Sequence, residues 1–178
     1  KSRLDDAETA TFAVNEYRFP GVTLEAVLHR DYPEGSLVSH VLGYVGRISE
    51  RDEAAIDASA YQGVRNIGKI GIEKQYEDVL LGHPGFEQVE IDAHGRTLRT
   101  ISRHSATPGN TLKLTLDVDL QRIAREALGN RRGAVVAITP SNGEVLTMVS
   151  SPSFDPNLFV DGIDQQTYDA LRGLEDRP

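Results

Sequence analysis

The triplet Pro108-Gly109-Asn110 constrains the fold of this chain more than any other stretch. Proline removes a backbone donor and fixes φ, and glycine opens conformations that side chains forbid, so regular structure stops there. Before the triplet, apolar residues recur at helical spacing between turn signals and then give way to a hairpin pattern. After it, an alternating segment, a helical stripe and a second hairpin follow in close order. This mixture predicts an α+β chain in two parts, 1–109 and 110–178.

In the first part, Leu4, Ala7, Ala10, Val14 and Tyr17 predict a helix over 2–17, with Asp5, Asp6 and Glu8 in its first turns and Phe19-Pro20-Gly21 as its stop. Alternating Val22, Leu24, Ala26 and Leu28 predict a strand. Beyond the turn at Tyr32-Pro33-Glu34-Gly35, residues Leu37, Val38, Val41 and Leu42 predict a short helix over 36–45. Ser49 is placed to cap another, running through Ala55. The clearest stripe is Ile72, Tyr76, Val79 and Leu80, with Glu73 and Glu77 near its start. It predicts one helix over 67–82, ended by Gly82. Stretches 86–92 and 96–102 then flank Ala93-His94-Gly95 as a hairpin.

In the second part, Leu112, Leu114 and Leu116 alternate as a strand. Asp117 or Asp119 caps a helix that buries Leu120, Ile123, Ala124 and Leu128 and closes at Gly129. Residues 133–139 and 144–150 form a hairpin around Asn142-Gly143. Its first arm is apolar at nearly every position, which predicts cover on both faces. A last helix starts at Asp164 and holds Tyr168 and Leu171. Residues beyond about 110 are expected to be poorly packed unless something else covers them.

The net charge of −8, with Arg131-Arg132 as the one dense basic run, argues against a nucleic-acid partner. The absence of cysteine excludes disulfides, thiolate metal sites and a cysteine nucleophile. No apolar run approaches the ~20 residues of a membrane span. The chain opens at Lys1 without methionine or a signal peptide and reads as a piece of a longer protein.

Candidate chemistry is sparse. Ser150, Ser151 and Ser153 cluster, but a serine nucleophile needs a base within reach and an oxyanion hole. Neither a Gly-x-Ser-x-Gly elbow nor a Ser-x-x-Lys pair occurs, so these serines are read as ending a strand and serving loop backbone. His29, His40, His83, His94 and His104 show no i, i+4 metal spacing and are read as structural. Gly68-Lys69-Ile70-Gly71 lacks P-loop spacing and is read as a tight entry to a helix. Asp117 and Asp119 are read as helix-capping residues, not as a Ca²⁺ or acid–base pair.

One ordered set of phrases goes further. Phe12 to Gly21 (FAVNEYRFPG), Arg30-Asp31-Tyr32-Pro33 and His40 to Gly46 (HVLGYVG) come first. Ile67 to Glu77 (IGKIGIEKQYE), Leu81 to Gly85 (LGHPG) and Leu116-Asp117-Val118-Asp119-Leu120-Gln121 follow. The stretch from Gly133 to Val160, closing on Asp155-Pro156-Asn157, ends the series. In this order they resemble the class B penicillin-binding proteins, in particular their elongation-specific transpeptidases, over nearly the whole chain.

The resemblance implies an α+β fold. Residues 1–109 would be the later part of a non-catalytic, dimerisation-type periplasmic pedestal. Residues 110–178 would be the first strand, helix and hairpin of a transpeptidase domain. It implies a parent anchored at the periplasmic face of the inner membrane by one helix before Lys1. That parent would cross-link peptidoglycan stem peptides by serine acyl transfer, be acylated by β-lactams and need no cofactor. The family's nucleophile lies in a Ser-x-x-Lys motif, expected beyond Pro178, so no catalytic residue falls in this chain. The implied partners of the pedestal are a SEDS-family glycosyltransferase and a rod-complex scaffold protein. The alternative is a free-standing, non-catalytic interaction module of the elongation machinery.

Overall fold

The computed structural model describes residues 4–22, 24, 29–94 and 97–173. Asp5 accepts from the Glu8 amide while Glu8 accepts from the Asp5 amide, and this reciprocal cap starts α1 at Asp6–Asn15. A 3₁₀ turn at Glu16–Arg18 ends it before Phe19-Pro20-Gly21, and α1 buries none of its residues. The strand predicted from Val22, Leu24, Ala26 and Leu28 lies largely outside the described residues.

The helix expected over 36–45 is shorter and tripartite: a 3₁₀ turn at Gly35–Leu37, α2 at Ser39–Leu42, then β1 at Val45–Arg47. Gly43 forces the change from helix to strand, with φ 75° and ψ −151°, a conformation open essentially to glycine alone. Ser49 and Asp52 form a capping box on α3, Glu50–Glu53. The continuous helix expected over 67–82 is corrected too. Asn66–Gly68 is β2, antiparallel to β1, with Val45 opposite Gly68. Helix starts only at α4, Gly71–Gln75, breaks at Tyr76, and resumes as α5, Glu77–Leu80.

The first hairpin is β3, Phe86–Ile91, against β4, Thr97–His104. Its residues are almost all exposed, and it projects as a separate two-stranded sheet. Residues 111–117 form no strand, correcting the reading of Leu112, Leu114 and Leu116. They run beside the second hairpin through two bonds, Asp117 amide to Leu146 carbonyl and Thr115 hydroxyl to Val145 carbonyl. Asp117 caps α6, Val118–Leu128, and Gly129 at φ 58° closes it.

The second hairpin pairs β5, Gly133–Ile138, with β6, Val145–Ser151. Then come α7, Asn157–Val160, and α8, Gln165–Gly173. Asp164 accepts from the Thr167 amide at the start of α8, as its position suggests.

Two burial expectations are overturned. Ile123 is 61 % exposed, and the buried residues of α6 are Ala124, as expected, and Gln121, which was not expected. Neither arm of the hairpin is covered on both faces: Thr147 and Val149 on the inner face of β6 are buried, whereas Val136 and Ile138 of β5 and Met148 of β6 are about half exposed on the outer face. The region beyond 110 is therefore packed along α6 and β6 and open along β5. The central core joins Tyr32 and Val45 from the first part to Val160 from the second, with Leu42 against them.

Candidate functional site

The densest polar geometry surrounds the turn at 32–37. Its start is fixed from below by a buried carboxylate. The Tyr32 hydroxyl donates to Glu73 Oε1 at 3.1 Å and accepts from the Val45 amide at 3.0 Å. Arg30 donates to Glu73 Oε2 at 2.9 Å. Burial, reinforced by the neighbouring Glu73 charge, pushes the Tyr32 phenol well above its usual range, so it stays a donor at any physiological pH. Glu73 sits on α4 because the tight Gly43–Gly71 crossing brings that helix against α2. A β-carbon on Gly43 would lie 2.0 Å from the Ile70 carbonyl oxygen.

From the other side the turn is held by the second part. Asn157 Oδ1 accepts from the Tyr32 amide, and Asn157 Nδ2 donates to the Tyr32 carbonyl, both at 3.0 Å. Arg122 donates to both Glu34 oxygens at 2.8 Å. Gln121 Nε2 donates to the Leu37 carbonyl at 3.2 Å, while its oxygen accepts from the Thr147 hydroxyl and from the Met148 amide at 2.6 Å. Further along, Arg47 donates to the Asp161 carbonyl, Asn66 to the Val160 carbonyl, and His29 pairs with Asp161 at 2.8 Å.

An aromatic cluster closes the same junction. Tyr44 stacks on Phe159 at 4.1 Å, and Phe154 meets Tyr44, Phe159 and His40 edge-on at 5.7–5.9 Å. Beside it lies an open cleft of about 660 Å³ that includes His40, Tyr44, Ser150, Ser151 and Tyr168. Burial, with Tyr168 nearby, raises the Tyr44 phenol.

The residues singled out in the sequence have the following partners. Ser150 and Ser151 pair with Ala134 and Gly133 across the hairpin. His40, their histidine neighbour in the cleft, bonds the Pro152 carbonyl at 3.0 Å rather than a serine. His83 bridges Thr107, the His94 amide donates to the Asp92 carboxylate in its turn, and His104 stacks on Phe86 at 4.4 Å. Gly68 and Gly71 mark close backbone approach, with Lys69 paired to Asp52. Asp117 accepts from the Asp119 and Leu120 amides, and Asp119 pairs with Arg122. Among the described residues no cluster of acids or imidazoles could hold a metal, and no helix is long and apolar enough to cross a membrane.

Sequence reasoning missed Tyr32, Gln121 and Asn157 as the residues that join the two parts. The available signals were a glutamine within the apolar stripe of α6 and an Asp-Pro-Asn after a strand, neither of which says what it binds.

Residues 1–114 match the Penicillin-binding Protein dimerisation domain. The chain belongs to that family. A peptidoglycan D,D-transpeptidase MrdA of Acinetobacter baumannii is 51 % identical over all 178 residues. The chain spans 26 % of that relative, so it corresponds to about a quarter of such proteins. Two solved structures share its fold. One is PBP2 of Helicobacter pylori in complex with MreC, at 32 % identity and TM-score 0.83, matching 99 % of this chain and 33 % of that one. The other is PBP2 of Pseudomonas aeruginosa in complex with WCK 5153, at 42 % identity and TM-score 0.72, matching 88 % and 31 %. A dimerisation domain as a mixed helix-and-sheet pedestal agrees with the fold class expected from the sequence.

Proposed function

We propose that this chain is the non-catalytic pedestal, with the opening of the catalytic domain, of a peptidoglycan D,D-transpeptidase that cross-links stem peptides during cell elongation. Residues 1–109 are the pedestal, and residues 110–178 begin the transpeptidase domain. The parent works at the periplasmic face of the inner membrane by serine acyl transfer, and its nucleophile lies outside this chain. β-Lactams acylate that serine. The pedestal docks a rod-complex scaffold protein, as the Helicobacter pylori relative in complex with MreC suggests, and a SEDS-family glycosyltransferase. The supporting observation is that similarity to the transpeptidases runs unbroken beyond residue 114 through α6 and the β5–β6 hairpin. The polar side chains at the junction are also spent on mutual hydrogen bonds rather than aimed at a reacting centre.

The test uses the longest chain that the gene encodes beside residues 1–178. Fluorescent penicillin should label the long chain covalently and leave the short one unlabelled, while both retain the scaffold protein on a sensor surface. Covalent labelling of residues 1–178, or scaffold binding by neither, overturns the proposal.

A further inference from the structure

We infer that the turn at 32–37 is the bolt that sets the orientation of the β5–β6 sheet against the pedestal, and that Gln121 is its positioning residue. The inference rests on the reading above, in which that sheet opens the catalytic domain. Three side chains of the second part converge on six residues of the first: Asn157 on Tyr32, Arg122 on Glu34 and Gln121 on Leu37. Behind the turn, Glu73 and the Val45 amide hold the Tyr32 hydroxyl, so its start cannot shift without disturbing α4 and β1.

The three grips are unequal. Arg122 and Glu34 are partly solvated, and such pairs contribute little. Asn157 lies at the surface. Gln121 is fully buried, and its one planar amide spans the junction, its oxygen on β6 and its nitrogen on the turn. A carboxylate could keep the β6 bonds but not donate to Leu37, and a methionine could do neither. Displacing the turn therefore either carries β6 along or leaves the Leu37 carbonyl and the buried Gln121 amide unpaired. A partner that docks on the pedestal and shifts this turn thus has a direct mechanical route into the sheet.

The experiment places spin labels on cysteines introduced at the exposed Ala58 and Asn130, one in each part, in the longest chain that the gene encodes. Pulsed dipolar spectroscopy then reads the distance between them. The parent should give one narrow distance. Gln121→Glu and Gln121→Met should broaden it, the aligned-to-displaced ratio falling roughly tenfold for the lost bond to the Leu37 carbonyl. Arg122→Gln should leave it unchanged. Folded Gln121 variants with the parental distribution overturn the inference. If those variants do not fold, Arg122→Gln combined with Asn157→Ala decides it: a parental distribution with Gln121 as the remaining grip supports the inference, and broadening overturns it. Penicillin labelling of the same unsubstituted chain separates the two claims, since its absence defeats the functional reading while the distances still judge the bolt.

Discussion

Asp52 and Glu77 are carboxylates of one small region with opposite relations to pH. Asp52 pairs with Lys69 and accepts from the Ser49 amide and hydroxyl at 2.7 and 2.6 Å. These bonds, Lys69 first, hold its carboxyl down at about 2. Glu77 accepts from the Gly68 amide and the Tyr61 hydroxyl, but burial outweighs both and raises it. Burial and Glu77 together push the Tyr61 phenol up to about 12. A depressed folded-state value means that Asp52 stabilises the fold above the ordinary aspartate range and loses that effect as pH falls toward about 2. A raised value means the reverse: Glu77 favours the fold at acid pH and loses that contribution as pH rises through its shifted value. Thermal melts across pH should therefore show Asp52→Asn less stable than the parent at neutral pH, with the gap closing in acid. Glu77→Gln should gain on the parent as pH rises. Parallel melting curves for either variant would contradict the assignment. Ser49 was legible as a cap, but Asp52's return bond to it and its pairing with Lys69 were not, because the latter contact depends on the β1–β2 pairing.

At the scale of elements, the sequence misled where a distant backbone competes with a local pattern. Residues 67–82 carry a helical stripe, yet their first residues pair with β1 because Gly68 admits the backbone of Glu73 and Lys74 so closely that a β-carbon would lie 2.3 Å from it. No periodicity reports such a crossing. Helix α6 was legible from its cap, stripe and closing glycine, but not the outward turn of Ile123 or the burial of Gln121. Two substitutions contrast a crowded glycine with an open one. Gly43→Ala places a methyl 2.0 Å from the Ile70 carbonyl oxygen at a positive φ, whereas Gly63 has φ 78° with open space around it. Urea unfolding should show Gly63→Ala losing about 1–2 kcal/mol, the cost of the left-handed conformation alone. Gly43→Ala should lose clearly more, because its backbone conformation is closed to alanine and α2 and α4 must also separate. Equal losses would mean that the crossing yields freely.

At the scale of the whole molecule, the sequence offers a break at Pro108-Gly109-Asn110, but residues 157–161 return to Tyr32, Arg47 and His29 through contacts no local pattern encodes. The same scale explains the apolar first arm of the second hairpin. Val135 and Ala137 face inward with Val149 and Thr147, while Val136, Ile138 and Met148 face out at 52 %, 53 % and 43 % exposure. Among the described residues strand β5 also pairs with β6 alone, whereas β6 receives residues 111–117 along its far side. A strand with both an open edge and an apolar outer face is a template for another strand. Residues 1–178 on their own should therefore associate through β5. Sedimentation velocity should show a coefficient that rises with concentration. Val136→Lys, which puts a charge on the outer face without touching the α6 side, should reduce that rise while leaving the circular dichroism spectrum unchanged. A parent that sediments as a monomer throughout the range would show that the twist of this short hairpin is enough to protect its edge.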